Sequence, residues 1–292
     1  MTLAMTLLVR DEVDIVRENI EFHLRQGVDL VVAIDNGSVD GTRDILDEYQ
    51  RAGVATVFDE AGRDYAQSKW VTKAALYARD ALGAEWVLNN DADEFWVPRR
   101  GNLKDVIAAY PDASQLNVSR WNMVADHHTL GQSGWREELI YRAAYPLPRT
   151  KWQLTDLYEG QLPAPYFLLD LPGKALVRTA GLQKVTQGNH SAHFSDEQSH
   201  ATPPIQIFHY PVRSPKQFEK KVDQGGQAYL ANRELPESVG WHWRRWYRMY
   251  LEHGIEAPLR DALPSGAQLR AGLAAGDIVR EEPFLVPAGL DA

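Results

Sequence analysis

Cysteine is absent from the 292-residue chain, which excludes disulfides, thiolate metal sites and cysteine nucleophiles. Positive charge is in short supply: 31 Lys and Arg stand against 40 Asp and Glu, a formal net charge of -9. No general excess of cations is available to neutralise a nucleic-acid backbone, so nucleic acid is not an expected partner, although local basic clusters remain open. Long apolar runs are missing too. Met1 to Val9 lacks a basic leader, and Arg10-Asp11-Glu12 cuts its apolar run short, so the start reads neither as a signal peptide nor as a transmembrane segment. No later run is long enough to cross a bilayer, and a cytoplasmic location is the expectation. Internal repeats, low-complexity segments and obvious linkers are lacking as well.

What the chain does contain is a regular alternation. Leu3 to Val9 is a short uncharged apolar run, which fits an interior parallel strand. Val13, Val16, Ile20 and Leu24 then fall on one helical face, with Asp11 as N-cap and Gly27 as stop. Leu30 to Ile34, Val54 to Phe58 and Trp86 to Leu88 read as further buried strands. Helices are expected between them, one carrying Ile45, Leu46 and Tyr49, the next spanning Tyr65 to Leu82. This alternation predicts an α/β fold with a mainly parallel sheet, flanking helices and right-handed crossovers. Ligands bind such sheets outside the carboxyl ends of the strands. Three chemically loaded segments fall there: Arg10-Asp11-Glu12, the loop from Asp35 to Thr42, and Asp91-Ala92-Asp93-Glu94.

After Pro98 the rhythm breaks. Trp121 to Pro172 is rich in Pro, Trp and Tyr, and suits a sugar-facing aromatic wall and irregular core equally well. Ala175 to Val177 and Ile205 to Phe208 read as strands. A helix is expected from Ser214 past Lys220, with Gly225-Gly226 as a candidate break. Trp241 to Tyr250 mixes aromatic and cationic residues. Packing of its aromatic side onto the rest of the protein is the preferred reading, and peripheral membrane contact stays open. The residues from Gly254 onward read as surface wrapping.

The acids at 91, 93 and 94 interrupt apolar sequence, between Trp86-Val87-Leu88 and Phe95-Trp96-Val97. Buried carboxylates are costly unless paired or bound to a cation, and Asp-x-Asp at a strand end can hold Mg²⁺ or Mn²⁺. A solvated acidic turn is the plainer reading, and the apolar flanks count against it. Asp35, just past a buried strand, is placed to accept hydrogen bonds from a ring N–H or a ribose hydroxyl. Asn36-Gly37 permits a tight turn, and Asp40 or Thr42 can cap the next helix.

Ile34-Asp35-Asn36-Gly37-Ser38-Val39-Asp40-Gly41-Thr42 together with Asp91-Ala92-Asp93-Glu94-Phe95 resembles the glycosyltransferase family 2-like enzymes with the GT-A fold. Arg10-Asp11-Glu12 and the run from Ile207 to Phe218 are similar to segments of one subgroup. The likeness covers residues 1–100 and a patch near His209, and is weak from Trp121 to Pro172. It implies a GT-A (Rossmann-like) domain over residues 1–253, with 1–100 as the nucleotide-sugar half and 101–253 as the acceptor half. Residues 254–292 would form a tail packed on it.

The resemblance also implies roles. Asp35 would contact the base, with Arg10, Glu12 and Asn36 around the same pocket. Asp91 and Asp93 would bind Mn²⁺ or Mg²⁺ and the ribose-diphosphate of a UDP- or GDP-type donor, and His209 and His190 are candidates to complete the metal site. Arg213 and Lys221, near Lys216 and Lys220, are placed to close over the diphosphate. One of Arg63, Gln67 and Lys69 is placed to touch phosphate. The resemblance implies an acidic pair well after the metal motif, which has no clear counterpart here; Asp93, Glu94 and Asp170 are the acids taken for the chemistry, and Asp170 stands with Asp126, Asp156 and Glu159 as an open set of candidates for the base. The acceptor would be a carbohydrate or another hydroxyl compound. Two other readings stand beside this: a phosphohydrolase with Asp91 as nucleophile, opposed by Phe95-Trp96-Val97 after the acids, and a non-catalytic carbohydrate-binding protein on the same fold.

Overall fold

The computed structural model describes residues 1–62, 66–148, 162, 164–232, 236 and 238–284. The chain divides into one unit of Met1–Arg120 with Pro172–Phe208 and another of Trp121–Leu171 with His209–Ala292. In chain order the first stretch supplies β1 (Leu3–Val9), α1 (Val16–Arg25), β2 (Leu30–Asp35), α2 (Thr42–Arg51), β3 (Ala55–Asp59), α3 (Gln67–Leu82), β4 (Trp86–Asp91), β5 (Glu94–Pro98), α4 (Leu103–Ala108) and β6 (Gln115–Asn122). After α5 (Trp135–Glu138) and β7 (Tyr141–Ala143) come β8 (Lys174–Arg178), β9 (Leu182–Val185), β10 (Ala192–Phe194), β11 (His200–Ala201) and β12 (Ile205–His209). The chain continues through α6 (Pro215–Ala231), α7 (Trp241–His253), α8 (Glu256–Ala262), α9 (Gly266–Ala275) and β13 (Ile278–Arg280).

The main sheet runs β3-β2-β1-β4-β8-β6-β12-β5, with β11 beside β6. Its first four strands are all parallel, as the alternation predicts, with Ala4 opposite both Leu30 and Val87. Beyond them β8 runs antiparallel to β4 and β6, so the sheet as a whole is mixed. β1 lies inside the sheet between β2 and β4, and Leu3, Ala4, Met5 and Leu7 are fully buried, which is why this run carries no polar alternation. α3 lays Trp70, Ala74 and Ala78 against Val32, Ile34, Val87 and Val177. Each large side chain buried this way contributes about 2 kcal/mol.

Two local expectations change. Asp11 does not cap α1: it sits in the left-handed region (φ 57) and its carboxylate accepts the Val39 N–H at 2.8 Å. The helix therefore starts later, behind Ile15, with no side-chain cap. In the second unit, Gly225-Gly226 does not break α6, which runs from its Ser214 cap to Ala231. A Cβ at 226 would overlap the Tyr247 ring of α7, so the glycine is there for close helix approach.

α7 turns its aromatic side inward, as predicted. Trp246 is 1% exposed, with ring centroids 4.7 Å from Tyr166 and 5.3 Å from Phe218. Its indole N–H and the neighbouring Arg245 both donate to Asp261 of α8. Among the described residues, the segment after Gly254 holds α8, α9 and β13, the last pairing antiparallel with β7. Among the described residues no helix is long and apolar enough to cross a membrane.

Candidate functional site

The turn from β4 into β5 is set by a buried polar relay in the first unit. Asn90 donates from Nδ2 to Asn19 Oδ1 at 2.9 Å, and its Oδ1 accepts Trp96 Nε1–H at 2.9 Å. Asn19 in turn donates to the Glu94 carbonyl at 2.7 Å. His23, one turn further along α1, contacts the Asn19 carbonyl through Nδ1 at 2.8 Å and accepts the Trp96 N–H at Nε2, 3.3 Å away. A carbonyl only accepts, so Nδ1 carries the proton and the ring is neutral. Full burial holds His23 well below its ordinary value, down to about 4. Asn19, His23 and Asn90 thus pin the backbone on both sides of Asp91-Ala92-Asp93. Their signal in sequence is only polar residues on apolar faces.

The acids in that turn are compensated by cations from other strands. Lys174, the first residue of β8 and 1% exposed, places Nζ 2.5 Å from Asp91 Oδ2 and 3.2 Å from Glu94 Oε1. Arg120 of β6 donates to the same Glu94 oxygen at 2.7 Å. Gln67, at the start of α3, donates to Asp91 Oδ1 at 3.3 Å and accepts the Gly188 N–H at 3.0 Å. Asp93 is buried, and Glu94 is fully buried with Oε2 lacking a hydrogen-bond partner. Among the described residues, Lys174 and Arg120 are cations set against Asp91 and Glu94. The adjoining carboxylates and the orphaned oxygen of Glu94 fit a divalent cation and its phosphate ligands.

His190 belongs to this surrounding. Its Nδ1 lies 2.6 Å from the Gly173 carbonyl, next to Lys174. Desolvation first, then the Lys174 charge, lower it to about 4 against the raising effects of the Gly173 hydrogen bond and Asp91, although the residue as a whole is exposed. With Nδ1 donating to that carbonyl, the lone pair of the neutral ring is on Nε2. A Cβ at Gly188 would overlap that nitrogen, so the glycine keeps it uncovered.

The second loaded loop follows β2. Val9 is paired with Asp35, and Leu8 with Asp91, so the two loops leave the sheet on either side of β1. Asp35 is 4% exposed; Oδ1 accepts the Ser38 N–H at 3.1 Å, and Arg43 stands 3.9 Å from Oδ2. Asn36 donates to the carbonyls of Glu60 and Gly62, holding the loop open at its tip. The Glu12 N–H donates to Thr42 Oγ1 at 2.9 Å, and the Asp11 N–H to Ser38 Oγ at 3.0 Å, which ties Arg10-Asp11-Glu12 to the same loop. Arg10 Nε is buried without a partner. Lys69 is exposed on α3.

The other expected residues lie in the second unit. His209 contacts Asn122 Oδ1 through Nδ1 at 2.7 Å. Arg213 is 2% exposed and donates to the Tyr210 carbonyl at 3.0 Å. Lys221 is half-buried on α6, and Asp170 is exposed. Arg63, Asp156 and Glu159 lie outside the described residues. Among the described residues, a group of three close ligand atoms exists at Asp126, His127 and His128, whose ligand atoms lie within 4.8 Å of one another.

A model of glycosyltransferase family 92 matches residues 2–238. Among solved structures, S. aureus TarS residues 1-349 with UDP-GlcNAc is 14% identical, with 86% of this chain and 73% of that one covered and a TM-score of 0.40. A further S. aureus TarS structure is 15% identical at a TM-score of 0.39; 86% of this chain is covered, but only 44% of that one. Glucosyl-3-phosphoglycerate synthase from Mycobacterium tuberculosis, with Mn²⁺, UDP and glucosyl-3-phosphoglycerate, is 13% identical over 91% of this chain and 81% of that one, at a TM-score of 0.31. No curated protein matches the chain.

Proposed function

The chain belongs to glycosyltransferase family 92, and from that premise we propose that it transfers a sugar from a nucleoside-diphosphate donor whose diphosphate is held at Asp91 and Asp93 through a divalent cation. The carrying observation is the pair of loops flanking β1. Asp35 and Asp91 end strands two positions apart in one sheet, about 10 Å at ordinary strand spacing, a span suited to a nucleoside at one loop and its diphosphate at the other.

In this reading Asp35 accepts from the base or ribose, and the backbone around Leu8 to Arg10 lines the same side. Mn²⁺ or Mg²⁺ fits the donor set here: such ions take one or two carboxylates and draw the rest of their oxygen ligands from phosphate and water. When bound, the cation offsets the negative charge that grows on the departing diphosphate. Lys174 and Arg120 hold Asp91 and Glu94 in place and lower the cost of bringing a dianion to an acidic turn. His190, kept neutral, offers Nε2 to the cation side. The acceptor's hydroxyl oxygen would bond to the anomeric carbon as that carbon's bond to the diphosphate oxygen breaks, its proton passing to a general base.

The test is a thermal-shift series with UDP, GDP, CDP and dTDP, with and without Mn²⁺, because a ligand that binds only the native state raises the melting temperature. A rise with UDP or GDP that requires the cation is expected, together with donor turnover that chelator abolishes. No shift with any nucleoside diphosphate in the presence of metal would sink the reading.

A further inference from the structure

In the second unit, the three side chains Asp126, His127 and His128 each bring one ligand-capable atom within 4.8 Å of the other two. They follow Ala125 and Val124, the latter bridged to Tyr141, and lie against the segment that leads into α9. His127 is fixed there twice: its backbone N–H donates to the Pro264 carbonyl at 3.0 Å, and its ring Nδ1 lies 2.9 Å from the same oxygen. Since that oxygen only accepts, Nδ1 bears the proton and the lone pair is on Nε2. Nε2 is buried and has no hydrogen-bond partner.

A plain turn accounts for part of this. Asp126 Oδ1 accepts the His128 N–H at 3.0 Å, as an aspartate does in many turns, and the two imidazoles lie with centroids 4.0 Å apart. It does not account for a buried acceptor nitrogen without a donor, which costs free energy wherever water cannot reach it. Nor does it account for Gly266 at the first position of α9, where a Cβ would overlap Asp126 Oδ2. A backbone carbonyl holding one ring nitrogen so that the other is free to coordinate is the usual outer-sphere arrangement of a metal-bound histidine.

We propose that Asp126, His127 and His128 bind a divalent transition-metal ion of the zinc class, sharing no ligand with the cation served by Asp91 and Asp93. Two imidazoles and one carboxylate suit Zn²⁺, Co²⁺ or Ni²⁺ better than Mg²⁺, which prefers all-oxygen sites. Three protein ligands leave a coordination position open. Asp126 also lines a cavity of about 340 Å³ with Glu137, Tyr141 and Arg270, which gives water access to the carboxylate side of the site. Bound there, the ion ties the 126–128 turn to the Pro264 segment.

The experiment uses the full, tag-free chain stripped with chelator and dialysed against Zn²⁺, with Co²⁺ absorption as a second readout of imidazole coordination. Four proteins are compared: the parent, His128→Ala, His127→Gln, and Asp91→Asn combined with Asp93→Asn. His128 is exposed, so its removal leaves the fold in place, which circular dichroism checks. One equivalent of Zn²⁺ on the parent and on the Asp91/Asp93 variant is expected, with affinity for His128→Ala reduced by more than the roughly 100-fold that even an outer-sphere loss can cost. No stoichiometric binding to the parent would overturn the site, as would binding retained by both histidine variants and lost with Asp91 and Asp93. Failure of nucleotide binding in the earlier screen would leave this result untouched.

Discussion

Lys174 Nζ lies 2.5 Å from Asp91 Oδ2, a contact between the first residue of β8 and the last residue of β4. The antiparallel insertion of β8 beside β4 makes this pairing. Asp91 and Glu94 are both answered by protein cations from other strands.

Replacing Lys174 by methionine should therefore be severe. It leaves fully buried Glu94 with Arg120 alone and Asp91 with Gln67. Removing one partner of a buried ion network costs about 3 to 5 kcal/mol, and urea unfolding should show a loss of that order for Lys174→Met. The double variant Lys174→Met, Glu94→Gln should recover a substantial part. A loss confined to a few tenths of a kcal/mol would mean that Lys174 is not a structural counter-ion.

Asp93→Ala should separate function from fold. It removes a proposed oxygen ligand of the cation, so sugar transfer and Mn²⁺-dependent binding of nucleoside diphosphate should disappear while the variant stays folded. Unfolding of this variant in calorimetry would mark Asp93 as part of the scaffold.

His23 gives the fold a pH dependence of known sign. Its value is held near 4 by burial, against an ordinary 6.5. Between these limits the unfolded chain takes up a proton that the folded chain refuses, so stability is intact above pH 6.5 and falls as the pH drops toward 4, by about 3 kcal/mol in full. His190 is lowered in the same direction, so the comparison must be made against a variant. Urea unfolding of the parent and of His23→Gln at pH 7 and pH 4.5 should show a steeper acid loss in the parent. Equal losses would show that His23 does not supply it.

The parallel half of the sheet was legible because strands buried on both faces carry unbroken apolar runs, such as Leu3 to Val9, between helices of clear period. The acidic turn was legible because Asp91, Asp93 and Glu94 interrupt such a run. Lys174 and Arg120 were not, since nothing local marks a lysine eighty residues away as the partner of an aspartate; the antiparallel pairing of β8 with β4 and β6 decides it. Asn19 and His23 escaped for a related reason, because a polar residue on an apolar helix face identifies its partner only once α1 has been laid against β5. Asp11 misled because a residue type that caps helices was used to tie Val39 instead.

Gly188 offers the most local test of the site. It has φ 76, where a side chain is strained, and a Cβ there would overlap Nε2 of His190. Gly188→Ala should cost about 1 kcal/mol from the backbone alone, and should push the imidazole off the Gly173 carbonyl that now orients it. If His190 serves the diphosphate's cation, Gly188→Ala and His190→Ala should weaken Mn²⁺-dependent UDP binding to a similar extent, with metal-free binding unchanged in both. Thermal shifts across a Mn²⁺ titration read this directly. A Gly188→Ala protein that loses stability but keeps the parent's Mn²⁺ dependence would confine Gly188 to backbone geometry and remove His190 from the cation's surroundings.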